Sequence, residues 1–502
     1  MAIEKICGIE TEYGIVMKGV DEPNPITASS ILINSYLTRL SQEGGFAHGM
    51  PRVGWDFEDE SPDVDARGFS ALGSLAPEVE THLVNAVLTN GARYYVDHAH
   101  PELSTPECLD ARSVVVFDRA AELILAKSMV AAESILPEGQ SIVVYKNNSD
   151  GKGNSYGCHE NYLMDRETPF GAIVNNITPH FVTRQIFCGA GKVGCEAGYA
   201  DVGFEISQRA DFFEEEVGLE TTLKRPIVNT RDEPHADPQK YRRLHVIIGD
   251  ANMSEIATFV KVGSTAIVLA MIEDESLKRE IRFMAPVASV RQVSHDLTLK
   301  RPLELVDGTK ATALEIQREY FECAQKWSER HGFASVGGDD VGRLILQHWG
   351  SMLDGLESDP MSQSHVIDWV AKYRLVDGYR ERHNLQWGDA RLSALDLQYH
   401  DLRPEKSLAA RVGLEKFCND AEISSAMTEP PTTTRAYFRG KCLSKFASEI
   451  VAANWDSMVF DIGTDPLRRV PMMEPLRGTA AHVASVIDNS NNASELLDKL
   501  ST

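Results

Sequence analysis

Apolar and polar positions change their period several times along the chain. Over 3–16 they alternate, the two-residue period of a strand whose side chains point to opposite faces. The alternation returns over 92–98, and further strands are predicted at 141–146, 181–188, 203–207, 243–249 and 255–262. Over 108–136 the period shifts toward that of a helix: Phe117, Ala121, Ile124, Ala131 and Ile135 share one face, and Pro137 ends the run. A shorter helix is predicted over 76–89, stopped by Asn90-Gly91. From about 264 onward the pattern is mostly helical, over 264–280, 310–330, 339–354, 364–382, 391–400 and 405–418. Residues 38–72 are rich in Gly, Asp, Glu and Pro and read as a long inserted loop, a length that is uncommon without a function. Pro430-Pro431, followed by three threonines, is the clearest linker. A strand-rich first half, a helical second half and a small C-terminal unit predict an α+β fold, with a main domain over 1–428 and a small domain over 429–502.

Composition narrows the partners. The 502 residues include 50 Lys and Arg against 74 Asp and Glu, a net charge of −24, which argues against nucleic acid or an anionic membrane as the main partner. The longest unbroken apolar run, Ala266 to Ile272, has seven residues, so no membrane-spanning segment is predicted. The N-terminus lacks a signal-like apolar core, and the eight cysteines form no CxxC pair, as in a cytoplasmic protein with reduced thiols.

Four stretches carry residue types that do chemistry. In Gly8-Ile9-Glu10-Thr11-Glu12-Tyr13, a strand places Glu10 and Glu12 side by side. Two adjacent carboxylates repel unless a cation separates them, and Mg²⁺ favours such oxygen ligands. In the stretch from Arg93 to Glu102, Arg93, Tyr95 and Asp97 share a face: an Arg for phosphate, a Tyr oxygen, and an Asp as nucleophile or base. His98 and His100 form an HxH whose acidic surroundings suit a hard metal better than zinc. The Gly-rich stretch 147–161 allows close approach to a ligand and carries His159 and Glu160. In 229–252, Arg231, Arg243 and His245 stand out as phosphate-neutralising groups in an acidic chain. Gly189 to Gly194 matches GxGxxG, but residues 195–211 do not read as a helix, so a dinucleotide site is not predicted.

The segments GIETEYG, NGARYYVDHAHPE, NNSDGKGNSYGCHENYL, ISQRAD, NTRDEPHAD, RRLHVIIGDANMSE and AANWDS, in that order, resemble the carboxylate-amine ligase-like family that handles Pup, the prokaryotic ubiquitin-like protein. The resemblance runs from the first strand into the small C-terminal unit. It implies a glutamine synthetase-like fold: a curved antiparallel β-sheet cradle with packed helices, plus a small C-terminal domain. The family has two chemistries, a Pup–protein ligase and a deamidase of Pup that also removes it from lysines. The segments VDHAHPE and FFEEEVGLETTLKRPIVNTRDEPHAD, and the loop containing WDFEDESPDVDARGF, resemble the second.

That resemblance implies ATP- and Mg²⁺-dependent deamidation of the C-terminal Gln of Pup and hydrolysis of Pup–lysine isopeptide bonds, with Pup and pupylated proteins as partners. Residue by residue, Glu10, Tyr95 and Glu102 match the family's Mg²⁺ ligands, with His159 and His245 beside them and Glu12 supporting the site. Arg93, Thr105 and Trp455 match ATP contacts, with Arg231 as a phosphate partner, and Asp97 matches the catalytic aspartate. The alternatives are the ligase and, more distantly, a regulator that binds nucleotide and Pup without turnover.

Overall fold

The computed structural model describes residues 1–43, 53–58, 60–68, 83–196, 202–277 and 279–501. Ten strands form the main sheet: β1 (Cys7–Glu12), β2 (Gly54–Trp55), β3 (Asn85–Val87), β4 (Arg93–Asp97), β5 (His100–Ser104), β6 (Cys158–Asp165), β7 (Tyr241–Val246), β8 (Ile450–Ala453), β9 (Ser457–Phe460) and β10 (Arg468–Pro471). Their order is β7-β6-β1-β5-β4-β3-β2-β8-β9-β10. Every pairing is antiparallel except β2 with β8, so the sheet is mixed, not purely antiparallel.

Helices cover one face of this sheet and leave the other for chemistry. The long helix α2 (Ala111–Glu133) starts where the Asp110 carboxylate accepts the Ser113 N–H at 2.8 Å, and it stops short of Pro137. It packs between α1 (Pro25–Glu43) and α4 (Glu255–Glu273), and α3 (Phe170–Thr183) lies against α4. α4 has the length and apolar composition of a membrane span, but it is buried in the protein core along its whole length. The residues after 429 supply β8, β9 and β10 to the same sheet and share a second core with Val53, Trp55 and Val87.

Several segments differ from the sequence expectation. Residues 181–188 lie in α3 and a following helical turn, not a strand, and 255–262 open α4. A helix buried all round has no one-sided apolar stripe, so its β-branched runs mimic a strand. Of the helix expected over 76–89, residues 76–82 lie outside the described residues, and 85–87 form β3. Residues 405–418 hold only the short 3₁₀ turn Ala409–Arg411. The inserted segment 38–72 begins inside α1 and contributes β2; its residues 44–52, 59 and 69–72 lie outside the described residues. The polar stretch 147–161 runs into β6.

Candidate active site

Strand alternation alone places most of the site. Along β1, Cys7, Ile9 and Thr11 are buried toward the helices, which forces Glu10 and Glu12 onto the opposite face. Register aligns the partners. Glu12 faces Glu102 on β5, Glu102 faces Tyr95 on β4, and Glu10 sits between Ser104 and His159. On β7, His245 pairs with Asn161 of β6. Arg93, Tyr95, Asp97, Glu102, Glu10, His159, Arg243 and His245 therefore line one cleft of about 570 Å³.

The ligand atoms fall into two adjacent groups, Glu10 with His159 and His245, and Glu12 with Asp97 and Glu102; in each, the atoms lie within 4.8 Å of one another. Asn161 ties the first group together. Its amide donates to Glu10 Oε1 at 2.8 Å, and its carbonyl oxygen accepts from Arg243 at 2.6 Å and lies 3.0 Å from His245 Nδ1. A hydrogen bond from Nδ1 to that oxygen leaves His245 Nε2 with its lone pair.

The charges do not balance. Burial pushes the Glu10 carboxyl up, but His159 and Arg243 outweigh it and hold Glu10 at about 2. Burial, with Asp97, Glu12 and Glu10 alongside, drives Glu102 well above the usual carboxylate range. Burial, then Arg243 and His159, hold His245 well below its ordinary value, so its imidazole is neutral. For Asp97 burial is again outweighed, first by the His98 hydrogen bond, and the group is lowered. Four carboxylates crowd beside the neutral His245 imidazole, with Glu102 destabilised as an anion. A hard divalent cation relieves that crowding, and the oxygen and imidazole donors present fit one.

Beside this cluster is a wall of arginine and aromatic side chains. The Arg93 guanidinium centre lies 3.9 Å from the ring centroids of both Trp55 and Tyr95, and its Nε donates to Asn85 at 3.0 Å. Trp455 meets Trp55 edge-on at 5.1 Å. Arg231 lines the cleft with a buried Nε that has no hydrogen-bond partner, and its guanidinium makes no ion pair among the described residues. A smaller, mainly apolar slot of about 80 Å³, lined by Thr105, Ile9, Leu163 and Pro475, shares Glu10, His235, Arg243 and Trp455 with the cleft. The Thr105 hydroxyl accepts from the Ile9 N–H at 3.0 Å, so its first role is to join β1 to the chain after β5.

The structure thus brings all eleven sequence-predicted site residues to one face of the sheet or to its adjoining slot. Glu160 is the exception among the motif residues: it points to the other face, in a buried pair with Arg184 at 2.6 and 2.8 Å. Trp55, Asn85 and the bridging role of Asn161 were not predicted. The alternation of His159 and Asn161 with buried residues was the available signal for Asn161.

A profile of the Pup-ligase protein family matches residues 5–459, and the chain belongs to that family. It is 52% identical to a depupylase of Acidothermus cellulolyticus, covering 99% of each chain. It is 44% identical to a Pup deamidase/depupylase of Mycolicibacterium smegmatis, covering 99% of this chain and all of that one. Among solved structures, it resembles the ligase PafA in its complex with Pup, with a TM-score of 0.79 and 32% identity over 99% of this chain and 94% of that one. It also resembles PafA in complex with ADP, with a TM-score of 0.73 and 38% identity over 80% of this chain and 89% of that one.

Proposed function

We propose that this protein is a Pup deamidase and depupylase: it hydrolyses the side-chain amide of a C-terminal Gln of Pup and the isopeptide bond that joins Pup to a lysine. The full-length relatives bearing that activity in their names support the reaction. The single structural observation that carries the site is Asp97, ending a strand beside a carboxylate–imidazole cluster and an arginine-lined cleft. Glu10, Tyr95, Glu102, His159 and His245 are the residues that would hold Mg²⁺, with Glu12 in support. Arg93, Arg231, Thr105 and Trp455, which line the cleft and its adjoining slot, would hold ATP. When bound, metal and phosphates supply fixed charge that polarises the scissile carbonyl; the nucleotide is a cofactor, not consumed stoichiometrically.

Asp97 is lowered toward its anionic form, as either of two routes requires. In one, it attacks the amide carbon, the C–N bond breaks, and the nitrogen leaves as ammonia or the lysine amine after taking a proton. Water then cleaves the resulting anhydride, giving Glu and free Asp97. In the other, Asp97 takes a proton from the attacking water. A Pup adduct trapped on Asp97 marks the first route. Full solvent ¹⁸O incorporation into product in a single turnover, with no adduct, marks the second. The function itself is tested with Pup ending in Gln and with a Pup–lysine conjugate. Release of ammonia and of the free lysine partner supports it; conjugate formation with one ADP per bond would assign the ligase reaction instead.

A further inference from the structure

The turn joining β4 to β5 has two central residues, His98 and Ala99, between the paired Asp97 and His100. His98 has φ +52°, the left-handed region that strains a residue with a Cβ and that Gly or Asn occupies more readily. Burial does not compensate, because the His98 side chain is 68% exposed. What the conformation achieves is contact with the neighbouring carboxylate: His98 Nδ1 donates to Asp97 Oδ2 at 2.9 Å. The turn is pinned on both sides. Ser29 Oγ on α1 donates to the Ala99 carbonyl at 3.0 Å, and the His100 ring stacks on Tyr156 at 4.4 Å.

We propose that His98 is a positioning residue for Asp97, fixing the rotation of its carboxylate by engaging Oδ2 and leaving Oδ1 as the reacting oxygen. This rests on the reading of Asp97 as the reacting group. The Asp97 carboxylate is half-buried beside Glu12 and Glu102, and small displacements of a reacting atom are costly in rate. The strained turn exchanges backbone comfort for a defined orientation of its neighbour.

The test compares wild type, His98→Gly, His98→Asn and Asp97→Asn, each full length with ATP, Mg²⁺ and Pup ending in Gln. His98→Gly should deamidate about tenfold more slowly with KM for Pup unchanged. Its melting temperature should hold or rise, because glycine relieves the turn. His98→Asn, whose amide reaches the same oxygen and tolerates the left-handed backbone, should stay within about threefold of wild type. His98→Gly at wild-type kcat, with Asp97→Asn inactive, overturns the proposal alone. Equal slowing of both His98 variants with a lowered melting temperature also overturns it, since the turn would then act only structurally. A wild-type protein that leaves Pup unchanged overturns the site reading and this proposal with it.

Discussion

Replacing Glu107 by Gln tests how the last 70 or so residues are held beside the cleft. Glu107 follows β5 and is clamped by two arginines of the C-terminal unit. Arg435 Nε donates to it at 2.7 Å, and Arg439 reaches both of its oxygens. Arg439 is fully buried, sits 5.0 Å from the Trp455 ring centroid and donates to the Trp455 carbonyl at 3.1 Å. Burial raises the Glu107 carboxyl, but Arg439 and Arg435 outweigh that and hold it at about 2, against an ordinary 4.5. Linkage makes that difference worth about 3 kcal/mol at neutral pH. Removing one partner of a buried pair costs about 3–5 kcal/mol by another route, so the two agree. For a chain of 502 residues that is a fall of about 3 °C in melting temperature. The sign follows from the depressed folded value: the stabilisation is complete above about 4.5 and is lost as pH falls toward about 2. Differential scanning calorimetry from pH 7 to pH 3 should show Glu107→Gln melting lower at pH 7, with the gap narrowing below about 4.5. Because Trp455 rides on Arg439, ATP affinity should fall as well. A variant melting within about 0.5 °C of wild type at pH 7, or a gap that widens in acid, would mean that the Glu107 clamp does not stabilise the fold as an ion pair.

Three further substitutions probe the cleft. A Cβ added at Gly157 would lie 2.3 Å from His159 Nε2 and 2.8 Å from Glu12 Oε1, so Gly157→Ala should lower kcat by at least about tenfold with melting temperature nearly unchanged. Full activity would mean these two side chains need not stay where they are. Arg93→Lys keeps the charge but loses the planar fork stacked on Trp55 and Tyr95; ATP affinity by calorimetry should drop about tenfold, and unchanged affinity would remove Arg93 from the nucleotide site. Asn161→Ala frees Glu10 and His245 from their shared bridge; the Mg²⁺ concentration for half-maximal activity should rise about 10- to 100-fold, and an unchanged value would place the metal elsewhere.

The residues of the site were more legible in the sequence than the elements behind it. Glu10, Glu12, Arg93, Tyr95 and Asp97 lie on short strands where alternation fixes direction, so their shared face could be read directly. The row they form with His159 and His245 depends on register between strands about 85 to 150 residues apart, which no local pattern encodes. The helix α1 was hidden because its buried positions include Ser29, Ser35 and Ser41, which dilute an apolar stripe. α4 was obscured by the opposite extreme: nearly every residue is apolar or buried, including Lys261, whose ammonium donates to the Asp250 carbonyl at 2.7 Å. Glu160 looked like a ligand because a charged residue beside a His reads as chemistry. Its actual partner, Arg184, lies in a segment read as a strand.

Asp97-dependent hydrolysis of a Pup amide at this cleft, with ATP as a cofactor, can be followed directly. The most direct measurement incubates wild type and Asp97→Asn with Pup ending in Gln and with a Pup–lysine conjugate, in ATP and Mg²⁺. Mass spectrometry follows the Pup terminus while ADP is quantified. Gln-to-Glu conversion and conjugate cleavage by wild type, loss of both in Asp97→Asn, and far less than one ADP per bond broken are expected. Undiminished hydrolysis by Asp97→Asn, or new conjugates formed with one ADP each, would contradict that expectation.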